Sequence, residues 1–142
     1  MKKGLQKKNK EGNIIKDIGS HLSKIKDEKK RLEEIGKIRL LLHSLSPLNH
    51  QPVDFVQWVS VEMVEPNDYN PNSVANIEMG LLYTSIKADG YTQPVVVIWD
   101  EKRGKYVIID GFHRYFNTKN NKDIYDANLG MLPVVVLKKT IE

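Results

Sequence analysis

Ile109-Asp110-Gly111-Phe112-His113-Arg114-Tyr115 stands between two elements of different periodicity. Before it runs Tyr106-Val107-Ile108-Ile109, apolar and β-branched, which predicts a strand. After it, residues 112–119 predict a short helix that opens at the glycine. A strand, a tight turn and a helix in that order outline an anion site. Glycine lets the backbone approach a ligand closely, and the N–H groups of a helix's first turn attract negative charge because they lack intrahelical acceptors. His113 and Arg114 add side-chain donors at the same end, the arginine as a planar fork suited to phosphate or carboxylate. Asp110, closing the strand, is placed to orient the histidine or the arginine, or to hold a metal.

Working outward, residues 100–105 with Gly104 predict a hairpin that leads back to Val95-Val96-Val97-Ile98-Trp99. The continuous apolar character of that strand suits one covered on both faces. Asp89-Gly90 ends a helix that carries Val74, Ile77, Leu81, Leu82 and Ile86 on its buried face, with Ser73 as its expected N-cap. Residues 55–64 (FVQWVSVEMV) predict a strand. Glu65-Pro66-Asn67-Asp68-Tyr69-Asn70-Pro71-Asn72 is turn chemistry dense in amides and carboxylates. Asn120-Asn121 closes the helix after Gly111, and Leu132-Pro133-Val134-Val135-Val136-Leu137 is the last strand, its proline near the start where a missing N–H is tolerated.

The N-terminal part has another character. Residues 1–13 are polar and lysine-rich and predict a disordered basic tail. Over residues 14–46 the apolar positions Ile14, Ile15, Ile18, Leu22, Ile25, Leu32, Ile35, Ile38, Leu41 and Leu42 recur at helical intervals, broken by the charge run 26–31. One long helix or two shorter ones fit this amphipathic extension, which ends at Ser44-Leu45-Ser46-Pro47. Its stripe must pack on the domain, on a second copy in a homodimer, or on another partner. Through His43 there are 13 Lys/Arg against 6 Asp/Glu, and beyond it 9 against 12. The basic excess therefore belongs to the arm, which predicts contact with DNA or an acidic partner.

The absence of cysteine excludes disulfides, thiolate nucleophiles and zinc–thiolate sites. Hydrophobic content of 40% and charged content of 28% are those of a globular protein. No apolar run approaches the roughly 20 residues that span a bilayer. The basic start lacks a following apolar signal core, so no membrane association and a cytoplasmic location are expected.

Two motifs in fixed order, Asp89-Gly90-Tyr91-Thr92-Gln93-Pro94 and Asp110-Gly111-Phe112-His113-Arg114-Tyr115, closed by Leu132-Pro133-Val134-Val135-Val136, resemble the ParB N-terminal/sulfiredoxin-like superfamily. Within it, Ser44-Leu45-Ser46-Pro47, Asn67-Asp68-Tyr69-Asn70-Pro71-Asn72 and the 89–94 turn are similar to the IbrB-like group. The resemblance implies an α+β fold, a small mixed sheet with packed helices over residues 53–142, preceded by the helical extension. It implies a bound nucleotide, with Mg2+ as an accompanying ion, held by Gly111, His113 and Arg114 together with Gly90, Thr92, Gln93 and Pro94. Sulfiredoxins carry a catalytic cysteine immediately before the histidine, where Phe112 stands, so sulfinic-acid repair is excluded. ParB partition proteins use a Gly-Glu-Arg-Arg turn on CTP, and His113 and Arg114 match its last two positions. The free-serine kinases have Asp-Gly-His-His-Arg there, which implies phosphoryl transfer through Asp110 with a further carboxylate from Glu65, Asp68 or Glu78. The IbrB-like group implies a regulator or coactivator of gene expression with an IbrA-like partner of the phosphoadenosine-phosphosulfate-reductase family. It is often labelled a ParB-like nuclease, yet no carboxylate pair with metal-ligand spacing supports that chemistry.

Overall fold

A computed structural model describes the backbone over residues 2–67 and 76–138, and the side chains over 12–67 and 78–138. The chain divides into two units, Met1–Leu42 and His43–Glu142.

The first unit is helical: α1 (Lys2–Ser23), then α2 (Glu28–Leu45), whose last residues belong to the second unit. The break falls in the charge run. Asp27 Oδ1 accepts the Lys30 N–H at 3.0 Å and caps α2, and Arg31 Nη1 donates to the Ile25 carbonyl at 3.1 Å. Of the two arrangements compatible with the sequence, the structure has the pair of helices. It also corrects the expected disordered tail, because α1 is already helical from Lys2 and runs through residue 13 to Ser23. Lysine, glutamine and glutamate are good helix formers, and a missing apolar period reports on packing rather than on helicity. No described side chain over 12–42 is buried.

The second unit contains β1 (Gln57–Ser60), β2 (Val64–Glu65), α3 (Asn76–Asp89), β3 (Val95–Asp100), β4 (Lys105–Asp110), α4 (Phe112–Asn120), α5 (Lys122–Ala127) and β5 (Met131–Leu137). The strands form one mixed sheet in the order β1-β5-β3-β4-β2, antiparallel at β1–β5 and β3–β4, parallel at β3–β5 and β2–β4. This is the α+β arrangement expected. The Ser73 cap and the Val74 and Ile77 side chains lie outside the described residues; of the rest of the expected buried face of α3, Ile86 is buried and Leu82 half-buried, but Leu81 is exposed.

The single strand expected over 55–64 is instead two strands on opposite sheet edges. The Val61 N–H makes the last bond along this edge, in the same register, to the Gly130 carbonyl at 2.9 Å; Ser60 Oγ accepts the Glu62 N–H at 3.3 Å, and the chain bends into a 3-10 turn at Val61–Met63. In a flat five-stranded sheet the two edges would stand four spacings of about 4.8 Å apart. The four residues from Ser60 to Val64 reach about 14 Å at most. The sheet therefore curls, bringing its edges together around Val61, Val64, Val95, Val97, Ile108, Tyr115, Leu132 and Val134. Each such buried aliphatic side chain stabilises the fold by about 1.5–3 kcal/mol. Pro133 pairs with Trp58 of β1, whereas pairing with β3 starts only at Val134, so the missing N–H falls where one neighbour is already absent.

Candidate functional site

Sheet register brings the two sequence motifs together. Because β3 runs antiparallel to β4 with Val96 opposite Asp110, the chain entering β3 and the chain leaving β4 meet at one end of the sheet. The register shifts between Val96 and Val97, and Gly111 lies against the backbone at this point. A Cβ on Gly111 would stand 3.2 Å from both Cα and Cγ2 of Val95, and its φ of 100° belongs to the region that side chains rarely adopt. This glycine is required on both counts.

Gly111 is the N-cap of α4. Its carbonyl accepts the Arg114 N–H at 3.1 Å and the Tyr115 N–H at 3.2 Å. The N–H groups of Phe112 and His113 have no intrahelical acceptor, and they carry the positive end of the helix dipole. Arg114 sits half-buried beside them, Nη2 donating to Gln93 Oε1 at 2.6 Å. Thr118 Oγ1 holds the Arg114 carbonyl at 2.8 Å, and the Tyr91 hydroxyl reaches the same oxygen at 3.5 Å. Burial pushes the Tyr91 hydroxyl up to about 12, against the opposing field of the Arg114 cation. The Tyr91 ring meets Trp58 edge-on at 6.3 Å. His113 Nδ1 is buried without a hydrogen bond, which leaves Nε2 as the ring nitrogen available to a ligand. Thr92 and Gln93 are exposed, and Pro94 is half-buried, all within the same turn.

The candidate carboxylates are more scattered. Asp110 is exposed immediately before Gly111. Glu65 lies opposite Val107 in the parallel β2–β4 pair, and its carboxylate stands 3.7 Å from Arg103 of the hairpin. Glu78 is exposed on the first turn of α3, next to Met79, whose sulfur lies 3.8 Å from Asn117 Nδ2 of α4. Asp68 lies outside the described residues. Among the described residues no group of three or more potential ligands is arranged to hold a metal, so nothing there fits a preformed Mg2+ site.

Sequence reading missed Tyr91 and Thr118. Both were findable: Tyr91 lies inside the quoted turn, and Thr118 follows Arg114 by four residues, one helical turn. It also missed a cluster in which Lys87 Nζ and the Tyr83 hydroxyl contact Asp123 Oδ2 at 2.6 and 2.5 Å. The Lys87 ammonium and then the Tyr83 hydroxyl hold the Asp123 carboxyl down at about 2. That cluster borders a cavity of about 350 Å³ floored by Ile86 and Ile124 and touching Gly90.

Residues 46–138 match the ParB N-terminal domain family. The chain belongs to that family. Its ParB N-terminal domain therefore contains both motifs and all five strands. The chain is also 39% identical over 127 residues to YbdM of Escherichia coli (strain K12), an alignment covering 89% of this chain and 60% of that protein. The chain thus spans less than two thirds of its relative's length. Among solved structures, the ParB N-terminal domain is similar at a distance to Caulobacter crescentus ParB complexed with CTP-γ-S (TM-score 0.48, 21% identity, 61% of this chain and 45% of that one). A second distant likeness is sulfiredoxin from Arabidopsis thaliana (TM-score 0.48, 21% identity, 60% of this chain and 86% of that one). No described helix is long and apolar enough to cross a membrane.

Proposed function

We propose that the ParB N-terminal domain of this protein binds a nucleotide through its phosphates and acts as a regulatory module. The observation that carries this reading is the convergence at one sheet end of two free α4 amides, a glycine that tolerates no side chain, and Arg114 oriented by Gln93. The amides and guanidinium supply hydrogen bonds to phosphate oxygens, and His113 adds a further donor through Nε2. Gly90, Thr92 and Pro94 shape the adjoining wall for sugar or base. Mg2+, where it accompanies the nucleotide, is held by phosphate oxygens rather than by a protein cage.

The test is calorimetric titration with CTP and AMP, with and without Mg2+, on wild type and Arg114→Ala. Hydrogen bonds to a charged group contribute about 1.5–3 kcal/mol each, so Arg114→Ala weakens binding roughly 10- to 100-fold. Equal affinity in both proteins, or no heat in either, overturns the proposal.

A second reading, phosphoryl transfer or nucleotide hydrolysis, is favoured by one observation: Asp110 is exposed immediately before the anion-binding turn. Phosphate release that vanishes in Asp110→Ala supports it, and binding without turnover leaves the regulatory reading. Resemblance to the IbrB-like group supports a role in controlling gene expression, with DNA or an IbrA-like protein as partner of the basic arm. Affinity of the full chain for mixed-sequence duplex that falls steeply with added salt supports the DNA contact; no affinity at low salt removes it.

A further inference from the structure

The cavity of about 350 Å³ between the last turn of α3 and α5 is at the small end of ligand pockets. On each helix two consecutive residues divide its lining. Ile86 and Ile124 are buried and form the floor, whereas Lys87 and Asp123 stand exposed at the lip. Ala127 follows Ile124 by three residues, so its methyl group lies on the same side of α5. Asn128, half-buried at the end of α5, brings an amide that both donates and accepts. The floor is therefore apolar, and the lip carries one charge of each sign. An apolar floor beneath a few converging polar groups is the general form of a small-molecule site.

The lip groups keep hydrogen-bonding capacity beyond their own contact. Lys87 Nζ donates to Asp123 Oδ2 at 2.6 Å and to the Tyr83 hydroxyl at 3.4 Å, which leaves the third N–H of the ammonium for a ligand. Asp123 Oδ2 accepts from Lys87 and Tyr83, while Oδ1 accepts the Ile124 N–H at 2.9 Å and retains a further acceptor site. A ligand can therefore join the pair without breaking it. We infer that this cavity binds a free α-amino acid with an apolar side chain. Its carboxylate accepts from Lys87, its ammonium donates to Asp123, and its side chain lies against Ile86, Ile124 and Ala127. An α-amino acid carries both charges on one carbon, which matches two opposite charges standing side by side above an apolar floor. A phosphate fits less well, because Asp123 already neutralises Lys87 and the last turn of α3 presents the negative end of its dipole. An apolar side chain inserted from within a partner's chain would fill the floor and bring no such pair of charges.

The inference is independent of nucleotide. Its test is amide NMR titration of the full chain, without nucleotide, with L-leucine, L-methionine and L-phenylalanine at millimolar concentration. Glycine, N-acetyl-L-leucine and L-leucinamide serve as comparators, lacking the side chain, the ammonium and the carboxylate in turn. Saturable shifts at the Gly90, Ile124 and Ala127 amides are expected with at least one of the three apolar amino acids. A hydrogen bond to a charged group is worth roughly 10- to 100-fold in affinity, so each comparator should bind at least tenfold more weakly. Lys87→Gln removes the cation and Ala127→Leu fills the floor, and each should weaken binding by a similar factor. Both positions are exposed, so both variants keep their fold, as a dispersed amide spectrum will verify. Absence of saturable shifts with all three amino acids overturns the inference. Equal binding of N-acetyl-L-leucine or L-leucinamide also overturns it, and marks the cavity as a slot for a partner's apolar side chain. So does binding that survives either variant.

Discussion

Gly111 shows how one residue couples stability to ligand chemistry. Its φ of 100° and the Val95 atoms at 3.2 Å both oppose a side chain, so Gly111→Ala strains the backbone and pushes α4 away from β3. Strain of this kind costs about 1–3 kcal/mol. Chemical denaturation of the apo protein should show a loss in that range, with anion affinity falling as well. The neighbouring Arg114–Gln93 bond makes a separate prediction. Arginine can only donate, so Gln93 must present its oxygen to Arg114 and its NH2 elsewhere. Gln93→Glu turns this contact into an ion pair that competes with a bound anion. It should therefore weaken nucleotide binding more than Gln93→Ala does, while leaving the melting temperature at or above that of wild type. The reverse ranking in calorimetry would show that Gln93 does not orient the guanidinium.

Among the elements, the 3-10 turn between β1 and β2 organises the sheet that presents the site. Val61 is wholly buried, and Val61→Ala should cost about 2 kcal/mol from lost burial and the cavity left behind, measured by urea denaturation. This turn was also the least legible feature of the fold. Residues 55–64 alternate well enough to read as one strand, and the change of partner from β5 at Ser60 to β4 at Val64 is a long-range event with no local sign. The strand–Gly111–helix unit was legible because its signals are local: a β-branched run, a glycine, then a helical segment. Helix α5 was missed because six residues are too few to show a period. At the α3–α5 contact, the Asp123 carboxyl is held at about 2, below its ordinary 3.8, by Lys87 and Tyr83. A depressed carboxyl stabilises the fold above the unfolded value and loses that contribution as pH falls through the folded one. Acid unfolding should therefore steepen between about pH 4 and pH 2, and Asp123→Asn should lower stability at neutral pH while flattening that part of the profile. An unchanged profile would show that the cluster contributes nothing to the fold.

The whole chain combines a basic arm with a mildly acidic domain, a contrast visible in the charge count alone. What the count could not supply was the register that brings residues 90–94 beside Gly111 and Arg114; that follows from strand pairing. The candidate site was legible as two separate motifs, and their contact became specific only with Val96 set opposite Asp110. The central claim is that an anion docks on the opening turn of α4. The most direct measurement is two-dimensional amide NMR of the full chain titrated with CTP. Saturable shifts concentrated at the Phe112 and His113 amides, the Gln93 side-chain NH2 and the Arg114 guanidinium are predicted, and they should be lost in Arg114→Ala. Shifts clustered instead around Lys87 and Asp123, or spread over the lysines of the arm with no saturation, would contradict it.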